Sequence, residues 1–141
     1  LLYLDAGMDI GRTAAGGINE DIQFEAEDCV FSTDAEADTV WSMIRESGSR
    51  LNIQLVNLHG NNARWNEAKA APQAAENIRI QVRLDRPIAG AFAASPDGES
   101  LCAERLPLTC RQTPQGGIYT AELARLEYWT AVGFTMGEEV C

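Results

Sequence analysis

The stretch Asn77-Ile78-Arg79-Ile80-Gln81-Val82-Arg83-Leu84-Asp85 decides the fold class. In an extended chain Ile78, Ile80, Val82 and Leu84 fall on one side, and Arg79, Gln81, Arg83 and Asp85 on the other. A period of two marks a half-buried strand of an antiparallel sheet. The same period recurs upstream. Leu51-Asn52-Ile53-Gln54-Leu55 alternates after the turn signal Glu46-Ser47-Gly48-Ser49, which predicts a hairpin with a strand from Thr39 to Arg45. Ser32-Thr33-Asp34-Ala35-Glu36 offers a rival, a capped helix over 34–46 with Ala37, Val40, Trp41 and Ile44 on one side. The strand is preferred, because alternation resumes directly after the turn. Further upstream Ile22, Phe24 and Ala26 alternate with Gln23, Glu25 and Glu27, and Cys29-Val30-Phe31 extends that strand or begins another.

Downstream, Pro87 marks a corner before a small-residue strand, Ile88 to Ala94. Ser95-Pro96-Asp97-Gly98 is a turn with Pro second and Gly fourth. A short strand, Leu101 to Leu106, stops at Pro107. After the turn Pro114-Gln115-Gly116-Gly117, the runs Ile118 to Leu123 and Glu127 to Met136 alternate again. Between Ala63 and Glu76 lies a long connection, where Trp65–Ala71 suggests a helical turn or two before Pro72. Regular short strands with turns between them predict an all-β, antiparallel β-sandwich of about seven to nine strands. An open β-barrel is the alternative. Residues 22–141 form the sandwich domain, and Gly-rich residues 1–21 read as an arm or linker.

A chain of 141 residues is the size of one domain and buries enough surface for a core of its own. It carries 11 Lys and Arg against 21 Asp and Glu, a net charge of -10. Nucleic acid is therefore not an expected partner, because binding its phosphates needs a basic surface. No run approaches the ~18 apolar residues of a membrane span, so no membrane partner is expected either. Leu1-Leu2-Tyr3-Leu4 has no basic start and stops at Asp5, unlike a signal peptide. A chain that starts at Leu1 suggests processing or excision from a larger protein. Neutral partners such as sugars stay open.

The four cysteines are Cys29, Cys102, Cys110 and Cys141. An even count hints at an oxidising, secreted or extracellular setting. Three pairings exist, and hairpin spacing favours Cys102 with Cys110, leaving Cys29 with Cys141. With one histidine and no Cys-x-x-Cys, an ordinary zinc site is not expected. The acids Asp5, Asp9, Glu20, Asp21, Glu25, Glu27 and Asp28 offer oxygen ligands for calcium but form no EF-hand loop. No cofactor is expected, with calcium kept as the one possibility.

The candidate carbohydrate-binding residues are His59, Asn61, Asn62, Trp65, Tyr128 and Trp129. Trp65 lies in the polar loop Asn61–Asn66 rather than in an alternating strand. An exposed aromatic face stacks on the C–H face of a sugar, and Asn side chains bind hydroxyls. The competing role for Trp65 is a plug over one end of the sandwich. His59 reads more simply as a loop residue at a strand end. Trp41 and Trp129 read first as packing residues. Tyr128 and Trp129 point to opposite faces of a regular strand, and Tyr119 on a neighbouring strand would complete an aromatic platform. Gly16-Gly17 lacks the Lys-Ser/Thr of a phosphate loop. A glycosidase needs two carboxylates at a set separation, which the sequence does not specify. No catalytic residue is assigned.

Several of these pieces, taken in order, resemble a known family. They are Leu51-Asn52-Ile53-Gln54-Leu55-Val56-Asn57-Leu58, then Trp65, then Asn77-Ile78-Arg79-Ile80-Gln81-Val82. Phe92-Ala93-Ala94-Ser95-Pro96-Asp97 and Leu126-Glu127-Tyr128-Trp129-Thr130-Ala131-Val132 follow. Over residues 39–141 the chain is similar to the C-terminal β-sandwich of glycoside hydrolase family 66, the dextranases and cycloisomaltooligosaccharide glucanotransferases. The resemblance implies an accessory domain that follows a catalytic (β/α)8 barrel. The barrel carries the Asp nucleophile and Glu acid, so no catalytic residue transfers to this chain. It implies a plug for Trp65, and α-glucan, another neutral polysaccharide or the barrel itself as partner. A free carbohydrate-binding module and a structural or protein-interaction domain are the alternatives. Cys102 and Cys110 are not part of the family pattern.

Overall fold

A computed structural model describes residues 22–137 apart from 65, 85, 101 and 115. Ten strands and no helix occur among the described residues. In chain order they are β1 (Ile22–Glu25), β2 (Phe31–Ser32), β3 (Val40–Ser47), β4 (Arg50–Asn57) and β5 (Ala75–Leu84). Then come β6 (Ile88–Ala94), β7 (Glu104–Arg105), β8 (Leu108–Thr113), β9 (Gly116–Leu126) and β10 (Trp129–Met136). They form a four-stranded sheet in the order β1-β5-β9-β8 and a six-stranded sheet in the order β2-β3-β4-β10-β6-β7. The chain is an all-β sandwich. Its pairings are antiparallel except for β2 with β3, which run parallel. β2 and β7 are only two residues long, which takes the count just past the expected range.

The core is built from the alternation read in the sequence. Ile78, Ile80 and Val82 are fully buried, and across the sandwich Ile53, Leu55, Val132 and Phe134 meet them in one cluster. Tyr119 of β9 lies inside it with 1% exposure. It therefore belongs to the core and not to a surface platform. Phe24 and Phe31, from opposite sheets, stack at 5.1 Å and close one edge.

The rival helix over 34–46 is replaced by β3. Ala35 and Asp38 sit at φ of 54° and 61°, left-handed values that a right-handed helix does not admit. β3 and β4 meet in register from Val40↔Asn57 to Ser47↔Arg50, leaving Gly48-Ser49 as a two-residue loop. Gly48 has φ of 54°, the value a tight hairpin turn asks of its first central residue. No helical turn forms over 66–71.

One irregularity shapes the end of the sandwich. In β5 the burial runs Ala75 in, Glu76 and Asn77 out, Ile78 in. In β9 it runs Leu123 in, Ala124 and Arg125 out, Leu126 in. Both strands switch phase together, and Asn77 at φ of 54° makes the switch. Ala75 and Leu126, paired across the strands, thereby turn inward and seal the core.

The expected Cys102–Cys110 hairpin bridge does not form. β7 pairs with β6 in the six-stranded sheet, and β8 pairs with β9 in the other. Between them Leu106 and Pro107 cross from sheet to sheet: the Leu106 N–H donates to Ala91 O at 2.8 Å, and Pro107 O accepts from the Glu122 N–H at 3.1 Å. A crossover carries the two cysteines apart where a hairpin would have brought them together. Cys102 and Cys29 are free thiols, which also rules out the expected Cys29–Cys141 bridge. Cys110 is disulfide-bonded.

Candidate functional site

The β4 alternation places Leu51, Ile53 and Leu55 inward and continues to Asn57, which is 4% exposed. A polar side chain at a core-facing position needs partners. The Asn57 Nδ2 donates to Gln73 O and Glu127 O, both at 2.8 Å, with a longer contact of 3.4 Å to Leu126 O. Its Oδ1 accepts from the His59 N–H at 3.0 Å. The Asn57 N–H donates to Tyr128 O at 2.8 Å. One side chain thus ties the loop after β4, the approach to β5 and the β9–β10 connection into one end of the sandwich.

His59 belongs to that end. Its carbonyl accepts from the Gln73 N–H, and its Nδ1 lies 3.2 Å from Asp38 Oδ1 without the alignment of a hydrogen bond. Asp38 Oδ1 instead accepts from the Gly60 N–H at 2.7 Å. The Asn61 N–H donates to Leu58 O, and Asn62 Oδ1 accepts from the Arg64 N–H and from Lys69 Nζ. Asn61 and Asn62 therefore shape the loop. Trp65 lies outside the described residues.

Tyr128 is 53% exposed and sits in the β9–β10 connection, so the strand alternation proposed for it with Trp129 does not apply. Asp97 positions both residues: its Oδ2 accepts from the Tyr128 and Trp129 N–H groups, each at 2.8 Å. Ser95 Oγ donates to Trp129 O at 2.6 Å and accepts from the Asp97 N–H. Trp41, Val56 and Trp129 are neighbours across β3, β4 and β10, all on the outer face of the six-stranded sheet. Both tryptophans are half-buried, and Trp41 Nε1 donates to Thr33 O. His59, Tyr128 and Trp129 thus meet around one sandwich end, joined by Asn57 and Asp97.

The acids occupy a different surface. Glu25, Arg79 and Glu122 are cross-strand neighbours on the outer face of the four-stranded sheet. Arg79 lies 3.7 Å from Glu25 and 3.9 Å from Glu122. Arg125 bonds Glu76 and Glu127 beside them, at 2.6 and 3.1 Å. A cleft of about 690 Å³ opens there between Glu25, Arg79, Glu122 and the Leu106-Pro107 crossover. Glu25 and Glu122 are more than half exposed and share one arginine. Among the described residues no group of three His, Cys, Asp or Glu is arranged to hold a metal ion. Asp5, Asp9, Glu20 and Asp21 lie outside them.

Sequence reading missed Asn57, Asp97 and Asp38. A signal existed for Asn57, the polar residue on the inward phase of β4, and for Asp97 in its turn.

The model of glycosyl hydrolase family 66 matches residues 12–133. The chain belongs to glycosyl hydrolase family 66. The match begins well before residue 39, where the motif resemblance started, and takes in β1 and β2. Two cycloisomaltooligosaccharide glucanotransferases of Niallia circulans are each 29% identical, over 103 and 104 residues. Those alignments cover 72% of this chain and 11% of the relatives, so the chain spans about a tenth of their length. A solved Paenibacillus sp. cycloisomaltooligosaccharide glucanotransferase, complexed with cycloisomaltoheptaose, superposes with a TM-score of 0.68 at 25% identity. That match covers 80% of this chain and 18% of the solved one. An alpha-L-fucosidase isoenzyme 2 from Paenibacillus thiaminolyticus shares the fold at a TM-score of 0.56 and 10% identity, over 84% of this chain and 16% of its own.

Proposed function

We propose that the chain is a non-catalytic accessory β-sandwich of a secreted enzyme that processes α-glucan. The observation that carries this reading is one of proportion: the family model matches residues 12–133, while the 103-residue alignment with a glucanotransferase takes in only 11% of that enzyme. The acids give the reading further support. A glycosidase acid is kept protonated by burial, with a second carboxylate about 5 or 6.5–9.5 Å away. Glu25 and Glu122 are instead more than half exposed and share one arginine. In this reading the sandwich packs on a catalytic (β/α)8 barrel and touches the glucan.

The test is dextran turnover by the purified chain. None is expected. Turnover that scales with the chain and vanishes on a single Asp or Glu substitution would overturn the reading. The encoding reading frame is expected to contain a barrel on the same polypeptide. A free carbohydrate-binding module is the second reading, favoured by the exposed ring of Tyr128 beside Trp129 and Asp97. It requires saturable isomaltooligosaccharide binding by a frame without a barrel, weakened by Tyr128→Ala.

A further inference from the structure

On the outer face of the six-stranded sheet, Asn52 is out of place. It is 2% exposed, and neither its Oδ1 nor its Nδ2 has a hydrogen-bond partner. A buried carboxamide with both ends unmet is costly and is rarely kept without a use. Pairing registers place Asn52 beside Gly133, and Gly133 beside Phe92. With strands ~4.8 Å apart, the missing side chain at Gly133 leaves a gap of roughly 10 Å between the Asn52 and Phe92 backbones. On the same face Arg50 pairs with Thr135, and Thr135 with Gly90. The Phe92 ring leans over Gly90, where a Cβ would come within 3.2 Å of it. Asn52, Gly133, Phe92, Arg50 and Thr135 line, with Ala103, a cleft of about 290 Å³.

We propose that this cleft is a subsite for a single pyranose ring. The carboxamide selects the ligand chemistry. Nδ2 donates and Oδ1 accepts, so a partner must both accept and donate. Two neighbouring sugar hydroxyls do both. A carboxylate or phosphate only accepts and would leave Oδ1 unmet. The hydroxyl of Thr135 and the guanidinium of Arg50 add polar groups at the rim, and Phe92 adds an aromatic wall for the C–H face. The volume lies at the lower edge of the ~300–1,000 Å³ of ligand sites, which suits one ring and not an oligosaccharide. The choice of a glucosyl unit rests on the α-glucan reading above; the demand for a diol does not.

The test is nitrogen-edited NMR of the whole chain, titrated separately with methyl α-glucoside, isomaltotriose, methyl α-mannoside and methyl α-galactoside. The expected result is a saturable shift of the Asn52 side-chain amide with a millimolar Kd, together with shifts at Phe92, Gly133 and Thr135. Asn52→Leu and Gly133→Ala should each weaken binding by about tenfold or more. Asn52→Leu should keep or raise the melting temperature, since an apolar isostere relieves the unmet amide. If Asn52→Leu does not fold, Gly133→Ala carries the test. Unchanged binding in the folded variants overturns the subsite. So does an Asn52 amide that exchanges magnetisation with water while no sugar moves it, which would mean ordered water only. Isomaltotriose shifts confined to Tyr128 and Trp129 would overturn the cleft and leave the glucan reading standing. Mannoside or galactoside shifts at Asn52 without a glucoside response would do the reverse.

Discussion

Asn57→Ala is the perturbation that best tests how the sandwich end is held. The wild-type side chain makes two 2.8 Å donations, to Gln73 O and Glu127 O, and one 3.0 Å acceptance from His59 N–H. Truncation removes all three. At a net ~1 kcal/mol each the loss is about 3 kcal/mol. Water reaching Gln73 O or Glu127 O at the domain rim lowers it, and a carbonyl left dry raises it, so about 2–4 kcal/mol is expected. Urea unfolding followed by tryptophan fluorescence measures it, with unchanged m-values required for the comparison. Asn57→Asp supplies the control of sign. It keeps the shape but turns an acceptor toward three carbonyl oxygens. It should destabilise at least as much at neutral pH and recover part of the loss as the new carboxyl protonates. A loss under about 0.5 kcal/mol for Asn57→Ala, within the range of an ordinary surface change, would refute the tether.

Four further outcomes follow from the same structure. Asp97→Ala should cost about 1.5–3 kcal/mol, since a carboxylate oxygen holds two N–H groups, and broaden the Tyr128 amide resonance; a sharp, unmoved Tyr128 signal would contradict the assigned role. Gly117→Ala should lower the melting temperature by the equivalent of about 1–3 kcal/mol, because its Cβ would come within 2.7 Å of the buried Tyr119 ring, and an unchanged melting temperature would contradict it. Arg79→Ala, with both its partners solvated, should stay within about 1 kcal/mol of wild type by urea unfolding. Iodoacetamide near pH ~8 should label exposed Cys102 before Cys29, as mapped by peptide mass. Burial, and then the charge of Asp28, push the Cys29 thiol up, so less of it is thiolate at a given pH.

Much of the fold was legible because the signal was local. Ile78, Ile80, Val82 and Leu84 are buried as their spacing demands, and Gly48 turns where the Ser47-Gly48 pair marked a turn. Less local features escaped. The Leu106-Pro107 crossover looks like one arm of a hairpin in sequence, because nothing in the intervening residues says which sheet each side joins. The candidate site was half-legible for the same reason. His59, Tyr128 and Trp129 were found as residue types, yet Asn57 and Asp97, which bring them together, act through backbone groups from three separate loops. Asn52 was unreadable as anything but the polar half of an alternating strand. It pairs on one side with Arg45 and on the other with Gly133, which offers no side chain, is remote in sequence and becomes adjacent only once β10 pairs with β4.

The two outer faces of the sandwich divide the chemistry between them. On the four-stranded sheet, Glu25, Arg79, Glu122, Glu76 and Arg125 face one another across strands. Such a lattice is largely content with itself and with water, so it gains little by burying against a neutral ligand. The six-stranded sheet presents Trp41, Val56 and Trp129 in one row and Asn52, Gly133 and Phe92 in another. That face carries half-buried rings and an amide without a partner, groups that gain from contact rather than lose by it. Both rows pass through β10, at Trp129 and Gly133, which at ~3.3 Å per residue lie roughly 13 Å apart on one face. A polymer laid along β10 would reach both rows, where a monosaccharide reaches one. The strand that joins the exposed Tyr128 end to the Asn52 cleft is therefore the axis along which the proposed glucan contact would run.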